Sequence, residues 1–213
     1  MLKVILFDLD ETLYPRASSL MTIIGKRIER YVKGVVGGTP EQAEELRKRW
    51  RRTYGTALRG MMEEGWAVDV EDYLRHVHDV PLEGFIYPQP EVRAMLLGLP
   101  VRRAVLTNSN IEHAGRVLRH INLEDCFERV IDLRALNFMN KPDPQAYQVA
   151  LSLMGVNADE VLFVEDTPIN TRPAKEIGMH TVLVDCPPSD DADYFVSNVL
   201  QVAGIVNTLL SAS

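Results

Sequence analysis

Short apolar runs recur along the chain on consecutive positions: Val4–Phe7, then 104–106, 130–131, 161–164 and 182–184. Consecutive rather than alternating apolar residues mark strands covered on both faces of a parallel sheet. Between the runs, apolar residues recur three and four apart. Ile111, Ala114, Val117, Leu118 and Ile121 form one such stripe. Tyr147, Ala150, Leu151 and Met154 form a second, opened by Asp143-Pro144 and stopped by Gly155. Val199, Val202, Val206 and Leu209 suit a C-terminal helix. Strand alternating with helix predicts an α/β, Rossmann-like parallel-sheet core.

One stretch departs from the alternation. Over residues 16–85 the pattern is helical throughout. Met21, Ile24, Ile28, Tyr31 and Val35 make a stripe ended by Gly37-Gly38. Thr39-Pro40-Glu41-Gln42 is a capping box with proline at the first helical position. The helix it opens is expected to carry Ala43, Leu46, Trp50, Ala57 and Met61 on one face. Val70, Tyr73, Leu74 and Val77 follow Asp69 as a third helix. The expected organisation is a core of residues 1–15 and 86–213 with an all-helical insertion at 16–85.

Composition narrows the classes. The chain has 213 residues, 46% of them hydrophobic, enough for a core without disulfides or structural metal. A net charge of −7 argues against nucleic acid as a partner. No apolar run approaches the ~20 residues of a membrane helix. Asp8 interrupts the first run too early for a signal peptide. Cys126 and Cys186 stand alone and read as reduced thiols. A cytoplasmic protein that binds neither membrane nor nucleic acid is expected.

The chemistry gathers where strands run out. Asp8-Leu9-Asp10-Glu11-Thr12-Leu13-Tyr14-Pro15 follows the first strand. Ligands of open α/β sheets bind beyond such carboxyl ends, and paired carboxylates there call for a cation or substrate to compensate them. Thr107-Asn108-Ser109 follows another strand, with a capping box read over 109–112, so that backbone N–H groups and the Thr107 hydroxyl suit an anion. Glu165-Asp166 ends a third strand, ahead of Thr167-Pro168-Ile169-Asn170. Lys141 precedes Pro142-Asp143-Pro144 at a loop-to-helix junction. Two acidic strand ends, a hydroxyl and a lysine can hold a divalent cation and a phosphate together.

Taken jointly, these segments resemble the four motifs of the haloacid dehalogenase superfamily over nearly the whole chain, with the helical insertion matching the cap placed after the first motif. DLDETLYP, EHAGRVL and NKPDP resemble the pyrimidine 5′-nucleotidase-type branch. The resemblance implies a phosphomonoester hydrolase in which Asp8 is the nucleophile and Asp10 the general acid and base, with a raised pKa. Mg²⁺ is then held by Asp8, the Asp10 backbone carbonyl and Asp166. Thr107, the Asn108 backbone and Lys141 bind the phosphate, and Lys141 also ties it to Asp8. Glu165 and Asn170 stand behind this first layer, and Tyr14, at the entrance to the cap, is placed to contact the leaving group. Nucleoside 5′-monophosphates, pyrimidine ones first, are the implied substrates. Sugar phosphates and phosphoglycolate are alternatives, ahead of phosphomutase and dehalogenase chemistry. Dehalogenases resembling this family need no metal and typically lack the acid that Asp10 supplies. A phospho-accepting receiver would be shorter and capless, and an inactive binding protein would be expected to have lost one of Asp8, Asp10, Lys141 or Asp166.

Two departures stand out. Family members often carry glycine where this chain has Ser109, which bears on the loop's shape. Pro173 is expected within the first turn of its helix, where proline is tolerated. In the insertion, the basic run Arg47-Lys48-Arg49 with Arg51 and Arg52 reads as a solvated helix face. His76 and His78 are spaced wrongly for a helical metal pair. Trp50, Met61 and Met62 read as cap core.

Overall fold

The computed structural model describes residues 1–211; residues 212 and 213, the end of the expected core, lie outside the described residues. Six strands, β1 Val4–Phe7, β2 Arg102–Leu106, β3 Arg129–Ile131, β4 Val161–Glu165, β5 His180–Val184 and β6 Tyr194–Val196, form one parallel sheet. The helices are α1 Leu20–Val36, α2 Pro40–Tyr54, α3 Ala57–Glu63, α4 Val70–His78, α5 Pro90–Gly98, α6 Ile111–His120, α7 Pro144–Met154, α8 Pro168–Glu176 and α9 Val202–Ser211. Two compact units result: Arg16–Ile86, and Met1–Pro15 together with the described residues from Tyr87 onward. Ile86 goes with the helical unit.

The strand order is β3-β2-β1-β4-β5-β6, so the chain's direction of progress across the sheet reverses at β1. Register aligns Phe7 with Val105 of β2 and with Val164 of β4. The residues that follow these strands therefore emerge side by side at the carboxyl edge, where α/β sheets bind ligands. All four residues of β1 are fully buried, each worth ~1.5–3 kcal/mol for a side chain of this size. Val4 and Leu6 join a cluster with Ala146, Tyr147 and Ala150 of α7. Phe7 faces the other way and meets Phe127 edge-on at 5.9 Å. Tyr147 stacks edge-on against Phe163 of β4 at 5.7 Å. Strand β6, three residues long with its first two only half-buried, is absent from the apolar runs read above.

Other expectations are corrected. Ile111, the first residue of α6, is 43% exposed, and the buried face consists of His113, Ala114, Val117 and Leu118. Pro173 is the sixth residue of α8, beyond the first turn. Having no N–H, it cannot donate to the carbonyl of Ile169 four residues back.

In the helical unit, the helix expected to run from Ala43 to Met61 is two helices. Gly55 takes φ 83° after α2, and Thr56 starts α3 by accepting from the Arg59 N–H at 3.2 Å. The break lets α3 pack back on α2. A Cβ on Gly60 would lie 2.2 Å from Trp50 Cγ, so the close approach requires glycine. Trp50 and Met61 are buried, whereas Met62 is 39% exposed and lies outside the core. The basic run is paired with acids, Arg47 with Glu29, Lys48 with Glu44 and Arg49 with Glu64. No described helix is long and apolar enough to cross a membrane.

Candidate active site

Asp8 continues the parallel pairing one residue past β1, its N–H donating to the Val164 carbonyl at 2.8 Å. That bond fixes the carboxylate at the reversal of strand order, beside the end of β4. Lys141 Nζ donates to Asp8 Oδ1 at 2.6 Å and to Glu165 Oε2 at 2.7 Å. The ammonium is buried and lies 5.2 Å from the centre of the Phe163 ring. A buried ion pair stripped of one partner loses ~3–5 kcal/mol, so the three groups depend on one another. Burial works against the Lys141 charge, but Asp8 and Glu165 outweigh it and raise its pKa.

Lys141 is aimed by its backbone. The Asn108 side chain accepts from the Lys141 N–H and donates to the Lys141 carbonyl, both at 2.9 Å. Asn140 Nδ2 also donates to that carbonyl, at 2.7 Å. Thr107 is buried, and its Oγ1 accepts from the Ser109 N–H at 3.0 Å. The cap of α6 is Asn110, whose Oδ1 accepts from the His113 N–H at 3.2 Å. The capping box read over 109–112 is thus corrected by one residue, because the Ser109 hydroxyl is engaged elsewhere.

It donates to Asp10 Oδ2 at 2.9 Å. Asp10 Oδ1 accepts from the Tyr14 hydroxyl at 2.7 Å and meets His113 Nε2 at 3.0 Å. Burial pushes the Asp10 carboxyl up, but His113, Tyr14 and Ser109 together hold it below the usual carboxylate range. The expectation of a raised pKa is therefore reversed: a carboxylate with this many donors is stabilised in its charged form. Tyr14 is buried, its hydroxyl occupied by Asp10 instead of lying open at an entrance. Ser109, at the position where glycine was expected, is not among the described residues with positive φ.

Glu165 uses both oxygens internally. Oε1 accepts from the N–H groups of Asp166 at 3.1 Å and Thr167 at 3.2 Å, and Oε2 from Lys141 and from Asn170 Nδ2 at 3.1 Å. Asn170 is steadied in turn by the Tyr147 hydroxyl, which donates to its carbonyl at 2.6 Å. Asp166 Oδ1 accepts from the Thr167 hydroxyl at 3.2 Å. Thr12 Oγ1 lies 3.4 Å from Asp8 Oδ2, a long contact.

The charge balance is lopsided. Asp8, Glu165 and Asp166 each place a carboxylate oxygen within 4.8 Å of the others, all buried. Burial, then the Glu165 charge, drives Asp8 up to about 7 against the pull of Lys141. Burial likewise carries Glu165 up to about 7, opposed by Lys141 and aided by Asp166. One ammonium does not balance three carboxylates. A hard, oxygen-only donor set with surplus negative charge suits a divalent cation such as Mg²⁺. With Glu165 fully engaged, Asp8 and Asp166 are the side chains suited to hold it.

Sequence reasoning passed over His113 and the Asn108 side chain. The signal for His113 was a polar residue set into the apolar stripe of α6, one place before Ala114 and directly after a strand-end loop.

A model of haloacid dehalogenase-like hydrolases matches residues 2–178. Phosphate metabolism protein 8 of Saccharomyces cerevisiae is 25% identical over 195 residues, 85% of this chain and 61% of that one. The chain thus spans about three fifths of that relative. A phosphoglycolate phosphatase of Rhodospirillum rubrum is 29% identical over 202 residues, covering 85% of this chain and 79% of the relative. The solved L-2-haloacid dehalogenase of Xanthobacter autotrophicus superposes with a TM-score of 0.61 at 19% identity, over 97% of this chain and 99% of that one. An aspartate at the end of β1, a buried lysine and an acidic pair at the end of the neighbouring strand β4 agree with the family model that covers residues 2–178: the chain belongs to the haloacid dehalogenase-like hydrolases.

Proposed function

We propose that this chain is a Mg²⁺-dependent phosphomonoester hydrolase that works through an aspartyl-phosphate on Asp8, with pyrimidine nucleoside 5′-monophosphates as preferred substrates. The observation that carries the reading is the contrast between two carboxylates two residues apart. Asp8 is gripped by a buried cation, which opposes the rise that burial imposes on its carboxyl and so favours the ionised nucleophile. Asp10 is met by two hydroxyls and an imidazole, which hold it in the charged form that takes a proton from water and which can each accept from it once it is protonated to serve as the acid.

In this mechanism an Asp8 oxygen attacks phosphorus and the ester oxygen leaves as Asp10 gives it a proton. Asp10 then takes a proton from water as that water attacks the phosphoenzyme, releasing phosphate and restoring Asp8. Lys141 neutralises the phosphoryl oxygens, and Thr107 with the Asn108 backbone binds them. Asp8 and Asp166, with the Asp10 carbonyl, would hold Mg²⁺, which supplies charge to draw an anionic ester toward the carboxylates. The 16–86 unit serves as the substrate-selecting cap.

The phosphoglycolate phosphatase at 29% identity supports ester hydrolysis. The nucleotide preference rests on the resemblance of DLDETLYP and EHAGRVL. A panel of UMP, CMP, sugar phosphates, phosphoglycolate and 2-chloropropionate, compared by kcat/KM, tests both. UMP and CMP should lead by tenfold or more, a discrimination of ~1.4 kcal/mol. Equal values across the esters overturn the preference, and halide release without phosphate release overturns the function.

A further inference from the structure

Asp10 is surrounded by partners of one chemical kind. Lys141 on Asp8 is a donor with no lone pair to offer, whereas the three groups on Asp10 are two hydroxyls and an imidazole nitrogen. Each of these can donate to a carboxylate or accept from a carboxylic acid. Contact is then kept whether or not Asp10 carries a proton. The two hydroxyls are rotors. His113 is different: its side chain is fully buried, it is the third residue of α6, and its N–H is fixed on Asn110 Oδ1. Its ring sets a direction that a hydroxyl cannot.

The arrangement also distinguishes the Asp10 oxygens. Oδ1 takes both Tyr14 and His113, filling its two lone-pair positions, while Oδ2 takes Ser109 alone. Oδ2 is the oxygen left with room for the reacting proton.

We propose that His113 is a positioning residue for Asp10: it pins Oδ1, with Tyr14, so that Oδ2 faces the reacting ester oxygen and water. The inference rests on the proposed acid–base role of Asp10. A residue that only filled space would, when replaced, slow all substrates alike. A positioning residue should matter where proton transfer matters, which is with poor leaving groups.

The test compares single-turnover phosphorylation by nitrophenyl phosphate with that by the best alkyl phosphate of the panel, in full-length enzyme. His113→Leu should slow the alkyl ester by ~10- to 100-fold, part of the ~10²–10⁴ that acid–base help supplies, and the nitrophenyl ester by less than ~3-fold. His113→Gln, whose amide reaches the same place, should recover most of the loss. His113→Asn keeps polarity but falls short of Asp10, and stands in for the leucine variant if that does not fold. In an Asp10→Asn background, His113→Leu should add nothing. Equal slowing of both esters, no slowing of either, or a full additional loss in the Asp10→Asn background overturns the inference while leaving the Asp10 assignment intact. If Asp10→Asn alone is indifferent to leaving group, the acid–base reading falls and the His113 inference with it.

Discussion

Asn108 grips the backbone of Lys141 from both sides, accepting from its N–H and donating to its carbonyl at 2.9 Å each. The ammonium's place between Asp8 and Glu165 thus depends on a side chain from a different loop, 33 residues away. Asn108→Ala leaves the Lys141 N–H without this partner, a loss of ~1–3 kcal/mol. At ~2–4 °C per kcal/mol for a chain of this size, Tm should drop by ~2–12 °C. Turnover should fall more than tenfold as Lys141 drifts. Asn108→Asp keeps the acceptor, and the carbonyl still has Asn140; it should lie between alanine and wild type. An alanine variant with wild-type kcat would remove Asn108 from the positioning of Lys141.

Asp8 and Asp10 should fail differently. Asp8→Asn cannot form an acyl phosphate, and turnover of every ester should vanish. Asp10→Asn should still give a burst of nitrophenolate and a trapped phosphoenzyme, since that anion leaves without a proton, with ~10²–10⁴-fold slower subsequent turnover. Quenched-enzyme mass spectrometry reads both. A phosphorylated Asp8→Asn protein would refute this division.

Removal of metal should stop the reaction. With surplus carboxylates around Lys141, activity should disappear in excess chelator and return with Mg²⁺. Ca²⁺ should compete and inhibit, because its looser coordination misplaces nucleophile and ester. Full turnover in chelator counts against the metal.

Away from the site, Asp125 takes a two-pronged bond from the Arg93 guanidinium, which lowers its carboxyl from 3.8 to about 2. A group depressed on folding stabilises above its unfolded pKa and loses that contribution as pH falls through the folded value. Asp125→Asn should therefore lower Tm at pH 7, and the gap should narrow from about pH 4 and close near pH 2. The pair is exposed, so the effect should also shrink in high salt. A gap that is constant with pH would assign the loss to something other than the ion pair.

Strands were legible as runs of consecutive apolar residues, at the edge in Val130-Ile131 as well as at the centre. Val4–Phe7 sits on the sheet's central position and reads as an unbroken apolar run, whereas Tyr194–Val196, a half-buried edge, was not read as one. Helix ends set by one residue were harder. Gly55-Thr56 interrupts an apolar stripe that keeps its spacing on both sides, so the turn between α2 and α3 was read through. The strand-end acids were visible as spacing, but their surroundings were not. Tyr14 is 4 residues from Asp10, while Ser109 and His113 are 99 and 103 away. A carboxyl's pKa depends on such partners, and local sequence carries no record of them.

The parallel register of β1 has a consequence for how the chain is made. Val4 pairs with Arg102 on one edge and Val161 on the other. Strand β1 is therefore made before both of its neighbours, and it stays unpaired on one side until Val161–Glu165 has been made. The Arg16–Ile86 unit, by contrast, has all its residues in one continuous stretch. It can close early while the apolar segment ahead of it waits, exposed to any chaperone or unwanted strand that meets it first.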